Sequence, residues 1–478
     1  MAKGKFKAPK GTRDLYPDDL LRQRYITEAW RRVSIRHGFD EIAGPTFEHL
    51  DLYKEKSGEG IVSELFSFRR EGGDDDYALR PEFTPTLARL YAAKAASLPS
   101  PTKWFTAGPY FRAERPQRGR LREFLQWNCD VIGGDDDAQT TADVADVLVE
   151  GAWELGLDSD DVQLMTNDRR TMDRIFADLG VADGSLQAAY AVLDKRAKVS
   201  PEAYAEMSAA AGFDSSSLDQ AISQFRSNYA SAAEQSAFTP LRNTVDAMCA
   251  RNLDEHVEVT GDVARGLAYY TGTVFELIAD GERAVAGGGR YDNLIELFGG
   301  PPTPAVGFGM GDVVLSLLLE DKGLMPEGQD LREALSQPGA SLRPEAFVLA
   351  DEDQSEHIEP LLANLRRGIQ ADGWDESRPW AADRYSTRPL HARRSYRAKR
   401  KKQMQDASSQ FARFAVTINE PDKVELRDMD AGASGGGDDL TPNSIEAFSK
   451  EARSSFADFS VQPESPVYVG KAIASLLG

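Results

Sequence analysis

The sequence predicts an α+β protein: an antiparallel sheet flanked by helices, followed by a smaller α/β domain. Three observations carry this expectation. Short apolar segments alternate with helical patterns up to about Ile132. From Ala177 to about Glu255 the chain turns Ala- and Ser-rich and helical. After a polar stretch bearing Pro and Gly, Gly323–Arg343, strand and helix patterns alternate again. A chain of 478 residues is long enough for two or three domains with ample core.

In order, residues 1–17 read as an irregular arm. Leu20, Leu21, Tyr25, Ile26, Ala29, Trp30 and Val33 then fall at helical spacing, in a helix that begins at Asp18 and ends near Gly38. Ala138–Leu155 reads as an amphipathic helix that Gly156 can stop. Val257–Val259 and Thr273–Leu277 have strand chemistry, and Val313–Leu319 reads as an apolar helix. The expected boundaries are a first domain over 1–325, with a helical insertion at about 177–255, a linker over 326–343 and a second domain over 344–478. In the second domain, strands are expected at Phe347–Ala350 and Phe411–Ile418, with a helix through Leu361, Leu362, Leu365 and Ile369 between them. Gly432–Asp439 is low-complexity and reads as a flexible turn.

Composition excludes several classes. No apolar run is long enough to span a membrane, and the basic start MAKGKFKAPKGTRD lacks the apolar core of a secretory signal. Cys129 and Cys249 are too few for a disulfide framework or a cysteine zinc site. The five histidines, His37, His49, His256, His357 and His391, are scattered, so neither zinc nor any other protein-held metal is expected. A cytoplasmic protein is expected.

Fifty-six Lys and Arg against seventy-seven Asp and Glu give a net charge of −21. The runs Gly73–Asp76 and Gly134–Asp137 read as solvated loops, because clustered carboxylates repel. Such an acidic surface suits a high-salt cytoplasm, where screening is heavy. Against this background Arg388, Arg393, Arg394, Arg397, Lys399, Arg400, Lys401 and Lys402 form a basic segment with no acid between them. Nucleic-acid phosphates would supply the counter-charge; a solvated helix face is the plainer alternative.

The most specific chemistry lies in Lys103–Gly133, read as a hairpin whose first strand ends in Phe111-Arg112-Ala113-Glu114-Arg115 and whose second starts at Arg120. Alternate residues of paired strands share a face, so Arg112, Glu114, Arg120 and Phe124 are expected to form a floor of fixed charges with one aromatic platform. Arginine grips phosphate oxygens in a bidentate fork and keeps its charge, and Phe124 offers a ring on which a base could stack.

FRAERPQRGRLREF resembles motif 2 of the class II aminoacyl-tRNA synthetases, in the form found in histidyl-tRNA synthetases. Six further segments resemble that family in its order: Gly11-Thr12-Arg13-Asp14, Gly38–Glu48 (motif 1, with Pro45), Leu79–Thr84, Arg265–Tyr270, Gly287–Asp292 and Ala305–Gly311. The resemblance implies a class II catalytic core, a helical insertion that contacts tRNA, a C-terminal anticodon-binding α/β domain and a homodimer built on motif 1. It implies ATP, Mg²⁺ with the ATP, L-histidine and histidine tRNA as ligands. Carried over residue by residue, Arg112 and Arg265 are the catalytic cations at the α-phosphate, with Glu114, Arg120 and Phe124 completing the ATP site. Glu82, Thr84 and Gln126 hold the histidine amino group. Asp130, Tyr269, Tyr270 and Tyr291, with Arg265, line the rest of the histidine site. Arg115, Gln117 and Arg118 reach the tRNA acceptor end. On the ground of their charge rather than by carry-over, Arg397, Lys399, Arg400, Lys401 and Lys402 are expected to contact tRNA elsewhere. As plain structure, Glu82 or Thr84 could instead cap a helix before Pro85. The glycine run 287–289 reads as close strand packing rather than a phosphate cradle.

Three positions depart from the family pattern. Ala268 stands where the family has Asp, Asp130 where it has Glu, and Val314 where motif 3 has an ATP-contacting Arg. Either Arg283 or Arg290 substitutes for that Arg, or ATP binds more weakly. Two other readings stay open: a non-charging regulatory paralogue of the family associated with ATP phosphoribosyltransferase, and a class II synthetase for another amino acid.

Overall fold

A computed structural model describes residues 6–57, 62, 64–196, 199–232, 239–263, 269–279, 284–420, 423–430, 469, 471 and 473. The low-complexity stretch Gly432–Asp439 lies outside them. Helix α1 (Pro17–Arg36) starts with Pro17 and two acids in its first turn and buries Tyr25, Ile26, Ala29, Trp30 and Val33, the expected stripe. Strand β1 (Asp40–Glu41) follows, then a small sheet of β2 (Phe47–His49), β3 (Ser67–Arg69) and β4 (Asp76–Leu79) beside α2 (Leu50–Ser57). Helix α3 (Thr84–Ala92) leads to the ten-residue strands β5 (Thr102–Phe111) and β6 (Glu123–Ile132), and these to α4 (Asp137–Glu154) and β7 (Val162–Asp168). Helices α5 (Arg169–Asp178), α6 (Leu186–Leu193), α7 (Pro201–Ala210), α8 (Ser215–Ala232) and α9 (Thr239–Cys249) pack around Met172, Phe176, Tyr190, Leu218 and Leu241, a core of their own. Strands β8 (Val257–Val259), β9 (Thr273–Ala279), β10 (Ala286–Arg290) and β11 (Ala305–Gly311), with α10 (Leu294–Leu297) between the last two, complete a sheet ordered β1-β5-β6-β11-β10-β9-β7-β8.

Only the outermost pairs of this sheet, β1 with β5 and β7 with β8, are parallel. Phe105, Trp127, Cys129, Phe275, Phe308 and Met310 turn to one face and build the main core with α1 and α4, where Trp30 and Trp127 stack at 5.8 Å. The other face carries the polar residues described below.

Helix α4 differs from the expected amphipathic helix. The acidic run before it is exposed, as expected, and two of its members also have structural partners: Asp136 caps the helix by accepting from the Ala138 and Gln139 amides, and Asp137 pairs with Arg290 at 2.8 Å. Likewise Asp76 in the first acidic run is paired with Arg69. The polar stripe of α4, Asp143, Asp146, Glu150 and Glu154, is buried. Arg251 and Tyr396 meet Asp143, Arg367 meets Glu150, and Arg36 meets Glu154 at 2.7 Å. A buried carboxylate is costly without such partners, and these come partly from far along the chain, Arg367 and Tyr396 among them.

Helix α11 (Asp312–Asp321) follows β11 directly. The stretch expected as a linker contains a helix, α12 (Gly328–Leu335), which buries Leu331 and Ala334 and ties Arg332 to Asp18 of α1. Three-residue spacing of those apolar positions gave it a face to bury. After it come β12 (Ala346–Ala350), α13 (Ile358–Arg367), a β13 (Ile369–Gln370)–β14 (Tyr385–Thr387) pair, β15 (Ala392–Arg394), α14 (Arg400–Ser409), β16 (Phe414–Glu420) and β17 (Lys423–Asp428). Four of these strands form a sheet ordered β15-β12-β16-β17, with β12 parallel to both neighbours. The last expected strand starts three residues late, because Phe411 takes a left-handed turn (φ 58°) and is exposed.

Candidate active site

Period two on β6 places Phe124, Gln126, Asn128 and Asp130 together on the face away from the core. The positions beside them are glycines. Gly108 of β5 and Gly311 of β11 flank Gln126, Gly309 flanks Asn128 and Gly307 flanks Asp130; Gly287 and Gly289 of β10 extend the rows. A Cβ at Gly309 would lie 2.5 Å from Gln126 Nε2, and one at Gly307 would overlap the Asp130 carboxylate. The glycines therefore leave bare backbone over which the neighbouring polar side chains of Gln126 and Asp130 lie. Gly288 packs against the Gly307 carbonyl and Phe275, and Gly289 against the Tyr270 ring, so the run serves close packing.

At one end, Tyr291 donates its hydroxyl to Asp130, with Tyr270 and Tyr269 packed beside it. Asp130 is 4% exposed, and burial raises its pKa to about 7 despite the Tyr291 hydrogen bond. Gln126 donates to Asn128 (3.0 Å), which in turn donates to the Phe308 carbonyl (3.2 Å). Alternation along β6 was the signal that pointed to Asn128, which sequence reasoning missed.

At the other end, Arg112 donates to the Pro81 carbonyl (3.2 Å) and lies over the Phe124 ring, 5.2 Å from its centre. Glu114 pairs with Arg120 at 2.7 Å. The four residues do meet, but as two pairs. The connection is also longer than expected: regular strand ends at Phe111 and resumes only at Glu123, and Arg120 lies in the loop. The N-terminal arm holds this loop, since Arg122 donates its amide to the Gly11 carbonyl and Arg13 pairs with Asp312. Glu82 and Thr84 flank Phe83, the N-cap of α3, so neither sits at the cap position.

Arg115, Gln117 and Arg118 are exposed on the loop, Arg118 pairing with Asp321 of α11. Val314 packs against the main core, and a Cβ on the loop's Gly119 would touch it at 3.2 Å. Arg290 does not substitute for the missing motif 3 arginine: it points to the opposite face, 2% exposed, and is bound by Asp137, Asp292 and Thr140. Arg265, Ala268 and Arg283 lie outside the described residues. In the basic segment, Arg388, Arg393, Arg394, Arg397 and Arg400 pair with Glu345, Asp40, Glu359, Asp406 and Asp351, acids drawn from elsewhere in the chain. Lys399, Lys401 and Lys402 are exposed.

The mostly antiparallel sheet and its Arg- and Phe-bearing motif 2 hairpin are those of a class II aminoacyl-tRNA synthetase catalytic core. The sequence model of the family "Histidyl-tRNA synthetase" matches residues 11–312. Histidine–tRNA ligases of Opitutus terrae, Halobacterium salinarum and Pyrococcus abyssi are 38%, 39% and 34% identical over 67%, 76% and 76% of this chain and 76%, 83% and 84% of their own lengths. A solved histidyl-tRNA synthetase from Nostoc shares the fold at 20% identity, with a TM-score of 0.55 over 94% of this chain and 100% of that one. The chain belongs to the histidyl-tRNA synthetase family.

Proposed function

We propose that this chain is a histidine–tRNA ligase. The α-carboxylate of histidine attacks the α-phosphorus of ATP, the bond to pyrophosphate breaks, and the adenylate carbonyl is then attacked by the 3′-terminal hydroxyl of histidine tRNA, releasing AMP. The nucleophile is already ionised, so the protein's work is alignment and charge neutralisation. The observation that carries the reading is the glycine-floored face with the Asp130–Tyr291 pair at one end and the Arg112–Phe124 pair at the other. Histidine sits at the first, where ring nitrogens find Asp130 and the tyrosines and the ammonium finds Glu82, Thr84 and Gln126. The nucleotide sits at the second, with Mg²⁺ arriving on the ATP as part of the substrate. Arg265 is assigned the second cation at the α-phosphate; Arg265→Ala is expected to impair adenylate formation far more than histidine binding, and equal losses would contradict that role.

The remaining assignments belong to the same reading. Arg115, Gln117 and Arg118 face the acceptor end. Lys399, Lys401 and Lys402, with Arg397 and Arg400, contact tRNA. A homodimer is supported by an aromatic cluster on the small sheet next to motif 1: Phe47 and Phe68 lie 5.7 Å apart, both partly exposed, with Tyr77 against each. A cytoplasmic location belongs to the same reading; among the described residues no helix is long and apolar enough to cross a membrane.

Val314 favours one rival, a histidine-binding subunit that does not charge tRNA. Charging of a histidine tRNA transcript by the full chain decides between them: acid-stable, alkali-labile histidine on the tRNA supports the ligase, and histidine binding without charging supports the rival.

A further inference from the structure

Arg80 has no assigned role, yet it lies on the ligand-facing side of the sheet. Its Nη2 is 2.5 Å from where a Cβ on Gly108 would stand, in the row shared by Gln126 and Gly311. It is 4% exposed. Nε donates to the Pro109 carbonyl (2.8 Å), Nη1 to the Gly44 carbonyl (3.1 Å), and the guanidinium lies over the Tyr110 ring at 4.7 Å. Its backbone takes part too: the amide donates to the Thr46 carbonyl (3.0 Å) and its carbonyl accepts the Phe111 amide (2.9 Å). The next residue's carbonyl holds Arg112 Nε.

The geometry points to Arg80 as the positioning residue that joins motif 1 to the nucleotide-binding strand. Side chain and backbone together splint Gly44–Thr46 to Pro109–Phe111, so the place of Arg112 is set from the motif 1 side. Among the described residues Arg80 makes no ion pair; its hydrogen bonds go to backbone carbonyls, leaving a fixed positive charge on the ligand-facing side of the sheet, beside the place where the reacting carboxylate and α-phosphate would lie. Gly108 is required because any side chain there would displace the guanidinium. The inference rests on the site reading given above.

The test uses the full chain with Arg80→Ala, Arg80→Lys, Gly108→Ala and, as a control on the site itself, Arg112→Ala. Histidine-dependent ATP–pyrophosphate exchange is resolved into kcat and the KM for each substrate, beside melting temperature. Arg80→Ala and Gly108→Ala are expected to lower kcat roughly 10- to 100-fold, as misplacement of a reacting group does. Ethylguanidinium is expected to restore part of the Arg80→Ala loss, and lysine, with no fork to span several carbonyls, is not expected to replace arginine. Should Arg80→Ala fail to fold, Gly108→Ala, which keeps the charge but moves it, decides. A kcat within about twofold of the parent in the folded variants, with only the melting temperature lowered, overturns the inference. If Arg112→Ala also leaves exchange intact, the site reading itself fails.

Discussion

Tyr291 hands its hydroxyl proton into a hydrogen bond with Asp130, and both groups are sealed from water. Burial lifts the carboxyl to about 7, and the tyrosine bond holds it from rising further. Tyr291→Phe is therefore expected to raise the pKa of Asp130 and to weaken histidine binding roughly 10- to 100-fold, the range for a hydrogen bond to a charged group. Calorimetric titration of histidine between about pH 6 and 9 checks both, with Asp130→Asn expected to lose the Asp130 limb of the profile. The unfolded chain releases this proton first. The group's contribution to the empty protein's stability is thus present below the ordinary aspartate range and is lost as pH rises through about 7.

The glycine floor makes a steric prediction. Gly309→Ala would push Gln126 off Asn128, and the expected result is a histidine KM raised about tenfold with a nearly unchanged melting temperature. A melting temperature that falls with KM unchanged would mean the glycine serves packing alone.

Glu154 receives Arg36 and Arg32 from α1 and is held down to about 2. A depressed carboxylate stabilises above its unfolded pKa and loses that contribution as pH falls toward the folded one, here from about 4.5 to about 2. Arg36→Ala leaves Glu154 short of its closest partner and is expected to cost roughly 3–5 kcal/mol, as breaking a buried pair does. Urea unfolding at neutral pH measures this.

Much of this was legible in the sequence. The apolar stripe of α1 and the Ala- and Ser-rich helical zone were readable because each depends on local periodicity. What was not legible depends on distant partners. The basic segment looked unpaired because its acids, among them Asp40 and Glu359, lie far away in the chain. The stripe of α4 looked solvated because Arg251 and Arg367 arrive from later elements. Arg290 looked available for ATP because sequence does not show which face of β10 it takes.

Those ion pairs leave Lys399, Lys401 and Lys402 as the exposed basic residues of the segment that make no ion pair among the described residues. Replacing all three with Gln is expected to weaken tRNA binding and to flatten its log–log salt slope by about 2–3 units, roughly one for each phosphate no longer neutralised. Pyrophosphate exchange, which needs no tRNA, should stay at the parent rate.

With a net charge of −21, self-repulsion opposes folding until salt screens it. Melting temperature and exchange activity are both expected to rise with KCl into the molar range. An optimum in dilute buffer would reject the high-salt reading.

The most direct test of the account is ATP–pyrophosphate exchange with each of the twenty amino acids in turn, at high salt with Mg²⁺. Exchange supported by histidine alone is the predicted result, and it would show that Val314 is tolerated in place of an arginine. Histidine binding with no exchange from any amino acid would contradict it and mark the chain as a non-charging relative.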